Sequence, residues 1–113
     1  MQNERRAAIR SEAKRLEKYF IDSGALLLEA DSLLSAETLL DLYGEDIRAR
    51  AYVTHDPVMG ERMMRPDFTV PIVERHMSEG AEPARYTYNG PVWRMQDAGS
   101  KRETEFIQVG FEL

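Results

Sequence analysis

The chain has 113 residues, enough for one hydrophobic core but at the small end for independent stability. Its composition, 42% hydrophobic and 31% charged with a mean hydropathy of −0.51, fits a globular cytoplasmic protein, and no apolar run nears the ~20 residues of a bilayer span. A net charge of −5 argues against broad electrostatic binding of nucleic acid, and zero cysteines exclude disulfides and thiolate metal sites.

The start, Met1-Gln2-Asn3-Glu4-Arg5-Arg6, leads into an amphipathic segment and not into a hydrophobic signal core. Residues 3–23 are predicted as a helix, because Ile9, Ala13, Leu16 and Phe20 form one apolar stripe and Gly24 supplies a stop. Its opposite face, rich in Arg, Lys and Glu, reads as a solvated surface. Ala25–Glu29 is a short buried-strand candidate, and residues 36–43 make a short helix ended by Gly44. Arg48 to Thr54 alternates loosely and suits a strand. Asp56-Pro57-Val58-Met59-Gly60 has turn chemistry, so Glu61–Arg65 should return antiparallel. Thr69 can cap a helix running to about Glu79, with Pro71 tolerated in its first turn. Tyr86–Arg94 and Glu103–Leu113 are predicted strands, joined through Asp97-Ala98-Gly99-Ser100-Lys101. No repeat, low-complexity tract or linker is seen. His55 and His76 stand far apart with no second ligand at useful spacing, so no metal is expected.

Three segments depart from simple alternation: Met64-Arg65-Pro66-Asp67-Phe68-Thr69, Asn89-Gly90-Pro91-Val92-Trp93-Arg94 and Phe106-Ile107-Gln108-Val109-Gly110-Phe111-Glu112. Each sets charged or amide groups inside an apolar run. Burying such a group without a partner costs ~2–7 kcal/mol, so three of them point to a shared small-molecule ligand.

In combination these segments resemble the class II aminoacyl-tRNA synthetase catalytic fold. The similarity is to the histidyl-tRNA synthetase branch and its non-charging paralogue, the regulatory subunit of ATP phosphoribosyltransferase. It runs from about Gly24 to Leu113. It implies an α+β fold, an N-terminal helix followed by a mainly antiparallel sheet. Because the chain stops at Leu113 on an apolar strand, 1–113 is expected to be the N-terminal part of a larger domain, with an open strand edge that favours self-association. In the family the first helix and following strand form a dimer interface. The proline that often ends that strand is absent here, where Ala30-Asp31 stands. A homodimer is still expected, although the Leu-rich stretch 26–42 reads equally well as plain core.

The resemblance also assigns residues. Asp67 and Thr69 match the positions that receive a histidine α-ammonium, with Gln108 completing the set, and Glu112 matches the position facing the imidazole. An ammonium brings three donors and needs acceptors, and a carboxylate beside an imidazole selects a ring that can donate. Arg94 matches the arginine that grips the substrate carboxylate and the α-phosphate of ATP, a role suited to its planar fork of donors. Simpler readings stand beside these: Asp67 as the N-cap of the next helix, Arg94 in a cross-strand ion pair with Glu103 or Glu105, and Gln108 and Glu112 on the solvent face of an edge strand.

Where the synthetases place a glutamate facing adenine this chain has Gln96, and where they place a return-strand arginine it has Thr104. Loss of both charges should remove adenylate formation, because phosphoryl chemistry rests on positioned charge. Lys101 and Arg102 are nearby but belong to the loop. The expectation is therefore a non-catalytic regulator with no catalytic residue and no cofactor. It would sense histidine and activate a short-form ATP phosphoribosyltransferase through that enzyme's catalytic subunit, without membrane or nucleic-acid partners. The Leu42-Tyr43-Gly44-Glu45-Asp46-Ile47-Arg48 wording also favours the paralogue. The rivals are a histidyl-tRNA synthetase fragment and a generic dimerisation domain.

Overall fold

A computed structural model of the chain describes residues 2–79 and 85–112, so Leu113, where the last predicted strand ends, lies outside the described residues. The chain divides into two units. One comprises Met1–Glu29, Ile72–Pro91 and Ile107–Leu113, and the other Ala30–Pro71 and Val92–Phe106.

In the first unit, helix α1 (Gln2–Asp22) follows the expected range. Its apolar stripe is effective only from Ala13 onward: Ala13 is 6% exposed and Leu16 and Phe20 are half-buried, whereas Ile9 is 42% exposed. Phe20 lies with its ring centroid 4.9 Å from that of Phe111. The polar face carries exposed pairs such as Lys18–Asp22 (2.7 Å), which add little to stability in water. Strand β1 is only Leu26–Leu27, shorter than Ala25–Glu29, and its pairing with β5 is parallel: Leu26 opposite Tyr86, Leu27 opposite Thr87.

In the second unit the chain also forms strand β2 (Leu33–Ser35), which the sequence does not predict. Its three residues carry too little periodicity to read alone. It pairs antiparallel with β4 (Gly60–Met64), which pairs antiparallel with β3 (Val53–Asp56), so β4 is the central strand of this sheet. Ser35 ends β2 and caps α2 (Ala36–Tyr43), its hydroxyl accepting the Thr38 amide at 3.4 Å. After Gly44, Glu45–Ala49 forms a 3₁₀ helix, so the strand expected over Arg48–Thr54 is corrected to Val53–Asp56. The reason is packing. Ile47 is buried in the cluster of Ala36, Leu39, Ala51, Met63 and Val70, and a tight turn delivers it there better than an extended segment.

The turn joining β3 to β4 is built as its sequence reads. Asp56 Oδ1 accepts the amides of Val58 (2.8 Å) and Met59 (2.9 Å), and Gly60 takes φ +86°, a left-handed conformation that suits glycine. Helix α3 (Thr69–Glu79) follows, with Thr69 as its first residue and not its cap, and with Pro71 in its first turn. Strands β5 (Tyr86–Trp93) and β6 (Glu105–Glu112) are neighbours in a sheet of order β1-β5-β6. Contacts at their two ends, the Arg94 amide to the Thr104 carbonyl (2.8 Å) and the Thr87 hydroxyl to the Gly110 carbonyl (2.8 Å), show that β5 and β6 run antiparallel. The architecture is α+β with mostly antiparallel sheets, as expected.

Candidate functional site

Between the last residue of β4 and the first of α3, Arg65-Pro66-Asp67-Phe68 crosses the second unit without regular structure. A buried cation holds this crossing in place. Arg65 is 5% exposed, and its Nη1 donates to the carbonyls of Ala30 (2.8 Å) and Asp31 (3.2 Å). Its guanidinium lies 4.5 Å above the Phe68 ring and 5.8 Å from that of Trp93. Carbonyl dipoles and ring faces thus replace lost hydration, without which burying the charge would be prohibitive. The Arg65 carbonyl accepts the Trp93 amide at 3.1 Å, which ties the end of β5 to the same segment.

Asp67 follows. Its Oδ1 accepts the Thr69 amide at 3.0 Å, the bond that the helix-capping reading requires. Yet the carboxylate does more than cap, because the Tyr43 hydroxyl donates to Oδ1 at 2.9 Å and to Oδ2 at 3.2 Å. In the sequence Tyr43 stands out only as part of Leu42-Tyr43-Gly44-Glu45-Asp46-Ile47-Arg48. The signal that could have singled it out is its place four residues after Leu39 on α2. A tyrosine on a core-facing stripe needs a partner for its hydroxyl. Burial pushes the Tyr43 hydroxyl up to about 12, helped by the Asp67 charge and the bond to it and opposed by Thr69 and Arg50. It is therefore a neutral donor at any physiological pH.

Arg94 lies one residue beyond β5. Its Nε donates to the Pro66 carbonyl at 2.7 Å, and its guanidinium sits 5.2 Å from the Phe106 ring centroid. The ion-pair alternative with Glu105 is not what forms, since Glu105 instead accepts the Trp93 indole N–H at 2.6 Å. The terminal nitrogens of Arg94 make no hydrogen bond to any described residue, so the fork that could clamp a carboxylate or phosphate remains available. Asp67, Thr69 and Arg94 are thus brought together, through the backbone of Pro66. Gln96 spends its amide on the Glu103 carbonyl across the hairpin (3.4 Å), and Lys101 and Arg102 are exposed.

Gln108 and Glu112 are in the first unit, on β6, four residues apart and hence on one face of the strand. Glu112 is exposed. Gln108 is half-buried, and its Oε1 is fully buried yet accepts no hydrogen bond from any described residue. A buried, unmet amide oxygen is uncommon in a folded protein and calls for a partner from outside the described residues, such as an ordered water or ion, or for a functional role. It also weakens the solvent-face reading, which would hydrate that oxygen. Gly110, between the two, leaves room for the Tyr88 hydroxyl: a Cβ there would meet that oxygen at 2.6 Å.

This fold, with an acidic crossing before a helix and an arginine at the mouth of an antiparallel hairpin, defines a class II aminoacyl-tRNA synthetase-like domain. The chain belongs to the histidyl-tRNA synthetase family, whose model, described as Histidyl-tRNA synthetase, matches residues 1–113. It is similar to the ATP phosphoribosyltransferase regulatory subunit of Rhizobium johnstonii, 34% identical over 94 residues that cover 82% of this chain and 24% of that protein. The protein of the same name in Brucella ovis is 36% identical over 89 residues, 78% of this chain and 23% of that protein. The chain thus spans about a quarter of the length of these curated relatives.

Solved structures show the same fold. A Bacillus halodurans ATP phosphoribosyltransferase regulatory subunit/histidyl-tRNA synthetase superposes with a TM-score of 0.71 at 24% identity, covering 87% of this chain and 26% of that one. Pyrrolysyl-tRNA synthetase from Desulfitobacterium hafniense gives 0.73 at 14% identity, covering 92% of this chain and 38% of that one.

Proposed function

We propose that the full-length protein is a non-catalytic subunit that senses histidine and regulates the catalytic subunit of a short-form ATP phosphoribosyltransferase in histidine biosynthesis. In this reading the present chain is the N-terminal part of a longer class II synthetase-like domain that works as a cytoplasmic homodimer. The observation that carries the reading is the buried, unmet Oε1 of Gln108, at a position the family devotes to the amino acid. Asp67, Thr69 and Gln108 receive the α-ammonium, Arg94 the carboxylate, and Glu112 the imidazole. The names carried by the Rhizobium and Brucella relatives support the regulatory role over the synthetase role. On the nucleotide side, Gln96 is neutral and turned to a backbone carbonyl, and Thr104 brings no cation, so no step of amino-acid activation is supported.

Calorimetry on the full-length protein tests the site. Glu112→Gln keeps the shape and removes the charge facing the ring, and Asp67→Asn does the same for the ammonium. Each should weaken histidine by roughly ten- to a hundred-fold, the range of a charge-assisted hydrogen bond. Glu103→Gln, at the loop side of β6, should change little. Unchanged affinity in both site variants would mean these residues are ordinary strand and cap charges. Histidine-dependent ATP–pyrophosphate exchange above a blank would replace the regulatory reading with the synthetase one.

A further inference from the structure

The carboxylate of Asp67 is held asymmetrically, and the asymmetry matters if it receives an ammonium. Oδ1 accepts two short bonds, from the Thr69 amide (3.0 Å) and the Tyr43 hydroxyl (2.9 Å), whereas Oδ2 has only the longer 3.2 Å approach of that same hydroxyl. A carboxylate oxygen offers about two acceptor directions, so Oδ1 is filled and Oδ2 keeps capacity for an external donor. We propose that Tyr43 is the positioning residue of the ammonium subsite: with the Thr69 amide it occupies Oδ1 and so presents Oδ2 to the α-ammonium of the ligand. This rests on the histidine reading above and adds the residue that orients its counter-charge.

Both anchors are fixed independently of any ligand. The Tyr43 ring packs against the cluster of Ala36, Leu39, Ile47, Ala51, Met63 and Val70, so the register of α2 sets where the hydroxyl sits. The Thr69 amide is set by the first turn of α3. Two rigid donors on one oxygen stop the carboxylate from turning about its last bond. A free carboxylate would have to be ordered at the moment of binding, and ordering lowers affinity. The bond could instead serve only to hold α2 to the Asp67 segment, and ligand selectivity separates the two roles.

Tyr43→Phe in the full-length protein keeps the ring and removes the donor. It is compared with wild type against histidine and against imidazolepropionate, which is histidine without its ammonium. The positioning role predicts a histidine affinity weaker by roughly three- to tenfold, the range for one ordered side chain, with less than about twofold change for imidazolepropionate. In the background of Asp67→Asn the same change should add almost nothing, because the group it orients has lost its charge. Equal losses for the two ligands, additive losses in the double variant, or no loss at all would each overturn the proposal while leaving histidine binding intact. A wild-type protein that binds neither compound would sink the histidine reading itself, and this proposal with it.

Discussion

In the second unit the protein itself anchors the polar groups at the Arg65–Thr69 crossing: Arg65 by carbonyls and rings, Asp67 Oδ1 by Tyr43 and Thr69, and Arg94 Nε by Pro66, with its guanidinium beside Phe106. In the first unit β6 presents Gln108 with a buried oxygen that no described residue meets, and Glu112 exposed. The same contrast runs through the apolar groups. The second unit encloses a cluster that includes Leu39, Ile47, Met63 and Val70, whereas the long α1 of the first unit leaves Ile9, Tyr19 and Ile21 largely exposed. One region therefore holds a crossing whose charged groups are anchored by the protein, although Arg62 Nε in its sheet is also buried with no hydrogen-bond partner among the described residues. The other holds groups that its described surroundings do not complete.

The strongest way to break that contrast is to remove matched pieces of hydrocarbon from each side. Met63 is 0% exposed in the central strand of its sheet, and Met63→Ala should destabilise the protein by about 2–5 kcal/mol. Ile9→Ala, on the exposed part of α1, should stay within about 0.5 kcal/mol. Urea unfolding of the two variants measures both, and a cost at Ile9 approaching that at Met63 would show that α1 is covered in solution.

A smaller effect tests how closely β5 and β6 fit in the first unit. A Cβ on Gly110 would lie 2.6 Å from the Tyr88 hydroxyl oxygen and 2.9 Å from its ring carbon, so the whole ring must swing away. Gly110→Ala should cost about 1–3 kcal/mol, the usual range for overfilling a packed site. A shift in urea midpoint well below that range would mean the Tyr88 ring moves freely.

How legible was this in the sequence? The elements with strong periodicity or turn chemistry were: α1, α2 with its Gly44 stop, the Asp56–Gly60 turn and the β5–β6 hairpin all fall within a residue or two of expectation. The failures have physical causes. β2 is three residues long and exists only because β4 offers it an edge, which is tertiary information. Arg48–Thr54 alternates like a strand, but the burial of Ile47 selects a 3₁₀ turn that takes in its first two residues. In the site, the acidic and amide residues could be read from their odd placement in apolar runs. For Tyr43 the helical stripe signals only that its hydroxyl needs a partner; that the partner is Asp67, 24 positions away, is tertiary information.

Tyr43 also gives the matched side of the comparison a pH signature. Its ordinary value is 10.0 and the folded value is raised to about 12, so the folded state keeps a proton that the unfolded chain releases. That contribution is fully present below about pH 10 and is lost as pH rises from 10 toward 12. Stability measured by urea over that window should fall more steeply in wild type than in Tyr43→Phe, which has no proton to lose. Parallel slopes would mean the hydroxyl is open to water.

The smallest expected effect sharpens the comparison within the second unit, by asking how much a cap adds when a core already fixes the helix. Ser35 accepts the Thr38 amide at 3.4 Å, the long end of a hydrogen bond, at the start of an eight-residue helix. Replacing a capping serine by alanine costs about 0.5–2 kcal/mol across proteins, and the length of this bond places Ser35→Ala near the lower figure. Leu39, buried on the same helix, anchors α2 whether or not its first turn is capped. The variant should thus shift the urea midpoint slightly with an unchanged slope, since the surface exposed on unfolding is the same. A loss above about 1.5 kcal/mol would mean that capping, and not the apolar cluster, fixes the register of α2 and with it the position of the Tyr43 hydroxyl.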